Sequence, residues 1–460
     1  MSSKGPSKTG VPPKKRQKVA AWKNRGAGPK ETLALFRHPS EFMNVLLAPT
    51  RFDVFTREYW EKKPLVLSKR EGASWPIHFS KSTFFGLAKA KVILFERDVA
   101  ACKYVAGERV NFDRAGRATE AKMQKLYDDG ATLQIHQPQR WVDGIWEALE
   151  QLECLFGCLV GSNAYITPPS SQGLAPHHDD VEVFVLQLEG SKAWRLYAPP
   201  MELPRTYSKD FTQEEIGPPT HEFTLQPGDL LYMPRGTIHQ ACTLGDSHST
   251  HLTISTYQNH SIGEYLKSVI PNLVEKVMDC SVELRRGLPI GFLPRSTMKK
   301  STVEAAVEHF QEQLKNFSGD IPKPSDLLRD FMLTRLPPIG FDKDSLADTT
   351  PEGEPPSLTD DITLAYPSHV ACLLDDSGDE EEALLLTSLL NDRETHMMLS
   401  DEHNVDGTGI VRFPGHFLPA LEQFCVSRDF IRGEVLELPS NEEKTVLLTS
   451  LWSLHLLRVR

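Results

Sequence analysis

The stretch Pro176-His177-His178-Asp179-Asp180-Val181-Glu182-Val183-Phe184-Val185-Leu186-Gln187-Leu188-Glu189-Gly190-Ser191-Lys192-Ala193-Trp194 joins a His/Asp cluster to a long apolar run. The run from Val181 to Leu188 is rich in β-branched and apolar residues, turns at Glu189-Gly190 and resumes at Ala193-Trp194-Arg195-Leu196-Tyr197, the composition and punctuation of two consecutive strands. Similar segments flank it: Thr132-Leu133-Gln134-Ile135 and Ala164-Tyr165-Ile166-Thr167 before, Phe223-Thr224-Leu225, Leu230-Leu231-Tyr232-Met233 and His251-Leu252-Thr253-Ile254-Ser255 after. Short strands at this spacing predict an antiparallel barrel or jelly roll.

At the head of the first strand, His and Asp two residues apart project to one face, because side chains alternate along a strand. A second His on a neighbouring strand would complete a site, and Gly236-Thr237-Ile238-His239 supplies one. Two neutral imidazoles and one carboxylate leave positions open on a divalent iron, as a non-haem oxygenase requires; a catalytic zinc site reads the same way in sequence. The pairs His177-x-Asp179 and His178-x-Asp180 overlap and point to opposite faces. The strand that follows is apolar on both faces, so alternation leaves this register open. Lys192 faces either solvent or the barrel interior, and inside it requires a buried anion.

The 460 residues are 40% hydrophobic and 25% charged, enough chain for several domains, and no apolar run approaches the ~18 residues of a membrane span. Seven scattered cysteines without a C-x-x-C pair favour neither a disulfide framework nor a zinc ribbon, and point to a reducing compartment. The net charge of −11 conceals a segregation: residues 1–30 hold nine Lys/Arg and no Asp/Glu, so an acidic body follows a basic arm. Residues 1–29 are too poor in large apolar side chains to offset their ordering entropy and are expected to be disordered. Within them, Pro13-Lys14-Lys15-Arg16-Gln17-Lys18-Val19 is a basic run that an import receptor can read, which predicts a nuclear protein.

From about Leu33 to Leu67 apolar residues fall at helical intervals and give way to an extended Lys63-Pro64-Leu65-Val66-Leu67. Beyond the strands the period changes. Ile262, Tyr265, Leu266, Val269, Ile270, Leu273, Val274 and Val277 trace one helical face, and Val303, Val307, Phe310, Leu314 and Phe317 a second. Such stripes either pack on the barrel or pair with another copy of the chain, and periodicity does not choose. Pro337-Pro338 through Pro355-Pro356 reads as a linker, and the last hundred residues as a separate α/β module closing with a helix around Val446, Leu447, Leu451 and Leu454.

Residues His177 to Trp194, with Asp179, Phe184, Gln187, Gly190, Lys192 and Trp194, resemble the JmjC family of 2-oxoglutarate oxygenases. Phe55…Tyr59-Trp60-Glu61-Lys62-Lys63-Pro64-Leu65 is similar to the opening segment of its ribosomal oxygenase branch. The likeness extends through His136-Gln137-Pro138-Gln139-Arg140, Gly161-Ser162-Asn163-Ala164-Tyr165-Ile166-Thr167-Pro168, Pro234-Arg235-Gly236-Thr237-Ile238-His239-Gln240, Ser255-Thr256-Tyr257-Gln258-Asn259 and Arg393-Glu394-Thr395-His396-Met397-Met398, and so covers most of residues 30–460. Carried over residue by residue, it implies that His177, Asp179 and His239 are the metal ligands. The family's distal lysine lies thirteen residues beyond the Asp, as Lys192 lies beyond Asp179. His178 takes a variable position where relatives often carry Tyr. Lys192, Asn163, Tyr165 and Thr253 would hold 2-oxoglutarate, and Gln137 and Ser255 would line the substrate entrance.

The fold so implied is mainly β plus α: a double-stranded β-helix (cupin/JmjC jelly roll) barrel, a helical dimerisation region and a C-terminal winged-helix module. The expected divisions are a disordered arm with an import signal at 1–29, a catalytic barrel with N-terminal helical and strand elements at 30–260, the dimerisation helices at 261–336, a linker at 337–360 and the winged-helix-like module at 361–460. The activity so implied is that of an Fe(II)/2-oxoglutarate-dependent dioxygenase, using O₂ to hydroxylate a histidyl residue of a large-subunit ribosomal protein in the nucleus and nucleolus. Demethylation of a histone tail and a non-catalytic nuclear scaffold are the alternatives, and an intact triad with Lys192 argues against the second. The expected partners are the ribosomal protein, an import receptor at residues 13–19 and a second copy of the chain, with no membrane. DNA is a poor partner for the C-terminal module, because residues 361–460 hold seven Lys/Arg against eighteen Asp/Glu and phosphate binding needs cations.

Overall fold

In the computed structural model the described residues are 39–68, 77–112, 115–288, 300–319, 321, 323–341, 351, 353–375, 380–398, 409–427 and 429–460. The basic arm with its 13–19 run and much of the expected linker lie outside them. The apolar segment before Leu67 forms two helices rather than one. Pro49, without an amide proton to donate, follows the first, so that α1 (Pro39–Leu47) and α2 (Phe52–Glu58) stand apart ahead of strand β1 (Leu65–Leu67). Next come α3 (Lys81–Ala90), β2 (Val99–Val105), β3 (Glu108–Asn111), α4 (Glu120–Asp128), β4 (Thr132–His136) and α5 (Asp143–Phe156). Seven strands then run in succession: β5 (Val160–Thr167), β6 (Glu182–Glu189), β7 (Lys192–Tyr197), β8 (His221–Leu225), β9 (Leu230–Met233), β10 (Ile238–Cys242) and β11 (Ser249–Thr256).

These strands make one sheet in the order β1-β9-β6-β11-β5-β4-β2-β3 and a second in the order β10-β7-β8, with antiparallel pairing throughout. The jelly-roll expectation is met. β6 shows why its sequence is apolar on both faces. Val183 and Val185 pack with Trp194, Leu196, Leu225, Leu231 and Met233 between the two sheets, whereas Phe184 and Leu186 belong to the larger core shared with α1, α2 and α5. A strand buried on both sides carries no alternation to read. The left-handed Gly157 ends α5 and turns the chain directly into β5, the strand beside β11.

Three longer helices follow: α6 (Ile262–Cys280), α7 (Lys300–Asn316) and α8 (Ser325–Thr334). Of the first stripe only Val269, Leu273 and Val277 are buried; Ile262 is 81% exposed, and Tyr265, Leu266, Ile270, Val303 and Val307 also face outward. α8 packs Met332, with Leu328 and Phe331, on Leu373, Leu384 and Leu386 of the following region. That region holds two three-stranded sheets, built from β12 (Asp361–Leu364), β13 (Val370–Asp375), β14 (Glu382–Thr387), β15 (Ile410–Pro414), β16 (Ile431–Arg432) and β17 (Leu457–Val459), in the orders β16-β12-β17 and β13-β14-β15. Helices α9 (Leu418–Val426) and α10 (Asn441–Ser453) close over a core of its own. In α10 the buried stripe is Leu447, Leu448, Leu451 and Trp452, while Val446 faces solvent, a rotation from the stripe read in sequence. Among the described residues no helix is long and apolar enough to cross a membrane.

Candidate active site

His177 sits just ahead of β6 and pairs across to His239 on β10 in an antiparallel bridge, its N–H donating to the His239 carbonyl at 3.2 Å and its carbonyl accepting from His239 N–H at 2.9 Å. Two residues on, the Asp179 carbonyl accepts from Gly236 N–H at 3.0 Å, so the same β10 approach holds the carboxylate. His177 Nε2 lies 3.9 Å from Asp179 Oδ1, and His239 Nε2 lies 3.8 Å from Asp179 Oδ2. These spacings are too long for hydrogen bonds and short enough for three donors around one small cation. The Nδ1 of His177 donates to Ala175 O at 2.7 Å and that of His239 to Thr237 O at 3.1 Å, which leaves both Nε2 lone pairs facing Asp179. Burial, together with the neighbouring His177, lowers His239 to about 4, so it stays the neutral ligand form at physiological pH. Two imidazoles and one carboxylate, with the outer nitrogens anchored on carbonyls, fit a divalent iron.

Of the two overlapping pairs, only His177 and Asp179 gather with His239. His178 turns away toward Phe211, with its amide bonded to Ser208 Oγ at 2.9 Å, and Asp180 accepts from Gln258 at 3.3 Å. Neither belongs to the triad.

The triad opens on a cavity of about 50 Å³ between the sheets, lined among others by Thr132, Tyr165, Lys192, Trp194, His251 and Thr253. Lys192 points inward, 5% exposed, and donates to Thr167 Oγ1 at 3.0 Å. Burial lowers its ammonium to about 8, and no carboxylate pairs with it among the described residues. A buried cation with one neutral partner has room for an anion. Tyr165 and Thr253 line the same cavity; Asn163, on the Tyr165 face of β5 and paired with Thr253, is not among the lining residues. Nor are Gln137 and Ser255. Both lie beside the start of β5, where Ser255 pairs with Gly161 and the Gln137 amide oxygen accepts from Ser162 N–H at 3.0 Å.

A model of the JmjC domain matches residues 134–265. Ribosomal oxygenase 2 of Rattus norvegicus is 39% identical over 444 residues, 92% of either chain. The chain belongs to the JmjC ribosomal oxygenase family. A further relative, the bifunctional lysine-specific demethylase and histidyl-hydroxylase NO66 of Aedes aegypti, is 36% identical over 305 residues, 64% of this chain and 48% of its own. Among solved structures, the ribosomal oxygenase YcfD of Escherichia coli in complex with cobalt and succinic acid aligns with 90% of this chain and 99% of its own at 15% identity and a TM-score of 0.46.

As a JmjC oxygenase the protein is an Fe(II)/2-oxoglutarate-dependent enzyme. The sequence reading assigns no role to three groups in or beside this cavity, His251, Trp194 and Thr167. His251 stacks on Tyr165 with centroids 4.7 Å apart, meets Trp194 edge-on, and is held neutral by burial and by Lys192. Its Nδ1 and the Trp194 Nε1 are buried without hydrogen-bond partners among the described residues. Thr167 receives the Lys192 bond. Alternation supplies a signal for two of these three: Thr167 shares a face with Tyr165, and His251 with Thr253.

Proposed function

We propose that this oxygenase hydroxylates a histidyl residue of a large-subunit ribosomal protein, with His177, Asp179 and His239 holding Fe(II) and Lys192, Tyr165 and Thr253 holding 2-oxoglutarate. The observation that carries the reading is the placement along one cavity of a two-His/one-carboxylate set and a buried lysine that no carboxylate pairs with among the described residues. Bound there, the metal would bring O₂, the oxidant, together with 2-oxoglutarate, which would leave as succinate and CO₂ with one oxygen atom while the other enters the substrate C–H bond. The chain's own residues bind and aim. Lys192 neutralises the far carboxylate, Tyr165 and His251 form a flat apolar wall, and Val183, Val185, Trp194 and Met233 keep water from the space between the sheets. Support for the substrate comes from the relatives' names, ribosomal oxygenase and histidyl-hydroxylase. The exposed apolar residues of α6 and α7 support a homodimer formed by these helices. Residues 361–460 are read as a winged-helix module that docks proteins rather than DNA, and the 13–19 run as a signal for the nucleus and nucleolus.

The test is mass spectrometry of histidine-containing ribosomal-protein peptides and trimethyl-lysine histone peptides incubated with the protein, Fe(II), 2-oxoglutarate and air. Gain of one oxygen on a histidine, absent with Asp179→Ala, is the expected result. Loss of methyl groups instead would install the demethylase reading.

A further inference from the structure

The Arg393–Met398 motif lies in the C-terminal region, far along the chain from the barrel, and the chemistry above gives it no task. In the structure it reaches Gln139 and the start of β5 at Gly161. His396, 2% exposed, stands between Glu153 of α5 and Gln139. Its Nε2 is 2.9 Å from Glu153 Oε1, and its Nδ1 is 3.0 Å from Gln139 Nε2. The Glu153 carboxylate also accepts Val160 N–H at 3.2 Å and Leu336 N–H at 2.8 Å, so it acts as an acceptor on every side. It therefore fixes the imidazole proton on Nε2 and leaves Nδ1 as an acceptor. Only an amide nitrogen of Gln139 satisfies that acceptor. The second proton on the same nitrogen goes to Gln137 Oε1 at 2.7 Å, while Gln139 Oε1 accepts Ser162 Oγ–H at 2.7 Å.

The polarity thus passes link by link from Glu153 to Gln137. Gln137 Oε1 is fully used, by Gln139 and by Ser162 N–H, and its Nε2 has no hydrogen-bond partner among the described residues. The neighbouring Met397 closes the same corner: a Cβ on Gly161 would lie 3.0 Å from Met397 Sδ and 3.2 Å from Gln137 Oε1. Gly161 is paired with Ser255.

We infer that His396 is a positioning residue of the substrate entrance, fixing the side-chain amide of Gln137 with its NH₂ outward as a donor for a carbonyl of the incoming peptide. The inference rests on the peptide-hydroxylase reading. It makes the C-terminal region a working part of the entrance rather than an independent module. A second histidine provides the internal control. His369 crosses from the same region to the same helix, with Nε2 2.7 Å from Glu150 Oε1, but its other nitrogen ends at Ser388 Oγ, 2.6 Å away, and leads nowhere near Gln137.

The experiment compares full-length wild type, His396→Leu, His396→Gln and His369→Leu on whichever ribosomal-protein peptide the wild type oxidises, with hydrogen exchange followed over residues 134–141. His396→Leu is expected to raise the peptide KM on the order of tenfold, the cost of freeing a buried acceptor chain, with the KM for 2-oxoglutarate unmoved. His396→Gln, which can accept and donate at once, restores most of the loss, and His369→Leu leaves the peptide KM at the wild-type value. Equal KM in wild type and His396→Leu, or an equal rise in His369→Leu, overturns the inference. Should the wild type oxidise no peptide, the hydroxylase reading fails by itself and the exchange data decide the rest. Faster exchange over 134–141 in His396→Leu alone supports the coupling, and identical exchange in both leucine variants rejects it.

Discussion

Glu150, Cys154 and His369 lie as close together as His177, Asp179 and His239 do, each trio offering ligand atoms within 4.8 Å of one another, yet only the second is built for a metal. In the first, every donor is already spent. His369 Nε2 is bonded to Glu150 at 2.7 Å, the Cys154 thiol lies 3.2 Å from the same carboxylate, and the Arg335 guanidinium approaches the sulfur at 3.0 Å, where its charge repels a cation. Burial pushes the Cys154 thiol up to about 12, away from the thiolate a metal requires. In the triad, backbone carbonyls occupy the outer nitrogens, and the inner ones make no hydrogen bond among the described residues, with Asp179 3.8 and 3.9 Å away. Proximity gathers ligands; unsatisfied lone pairs make a site.

The strongest way to break this contrast is at Asp179. Asp179→Ala should abolish hydroxylation and weaken Fe(II) binding, read by titration calorimetry, by more than the ~10–100-fold typical of losing a residue behind a ligand. Glu150→Ala should leave Fe(II) affinity unchanged; a comparable loss there would erase the distinction. Next in size is Lys192→Met, expected to raise the KM for 2-oxoglutarate on the order of 100-fold by stranding a buried carboxylate. Because burial lowers Lys192 to about 8, its cationic, binding-competent form dominates below that pH. Accordingly kcat/KM for 2-oxoglutarate should fall about tenfold per pH unit above 8, and Lys192→Arg, whose charge persists, should remove that limb.

Glu150→Ala has its own effect, on stability: loss of a buried hydrogen bond to a charged group should lower the unfolding free energy by about 2–3 kcal/mol in urea titrations. The smallest effect belongs to His178→Ala. With its ring turned toward Phe211, it should leave Fe(II) binding in place and change turnover by no more than about twofold. Loss of iron in His178→Ala but not in His177→Ala would reverse the register.

The strands from Thr132 to Ser255 were legible because β-branched residues and turn dipeptides punctuate them. β2 and β3 were not, since Ala100-Ala101-Cys102-Lys103 and Glu108-Arg109-Val110-Asn111 lack that density and form strands only by pairing, β2 with β4 and β3 with β2. The H-x-D pair and His239 were visible as residue types, and the family resemblance chose between the overlapping pairs. Alternation places His251 on the face of Thr253 and Thr167 on that of Tyr165, but it gives only the face; that these faces meet at the cavity and Lys192 is decided by folding.

By itself the sequence determined the chemistry on offer: two histidines and a carboxylate at strand spacing, a lysine thirteen residues on, and apolar stripes enough for a barrel and its helices. Only the tertiary structure decided which of these groups are free to act. Whether a histidine is a ligand, a latch or a link in a hydrogen-bond chain depends on what its two nitrogens meet, and His239, His369 and His396 meet partners from other parts of the chain. Local sequence sets a residue's identity and its face; the satisfaction of a buried donor or acceptor is set by neighbours that arrive only on folding.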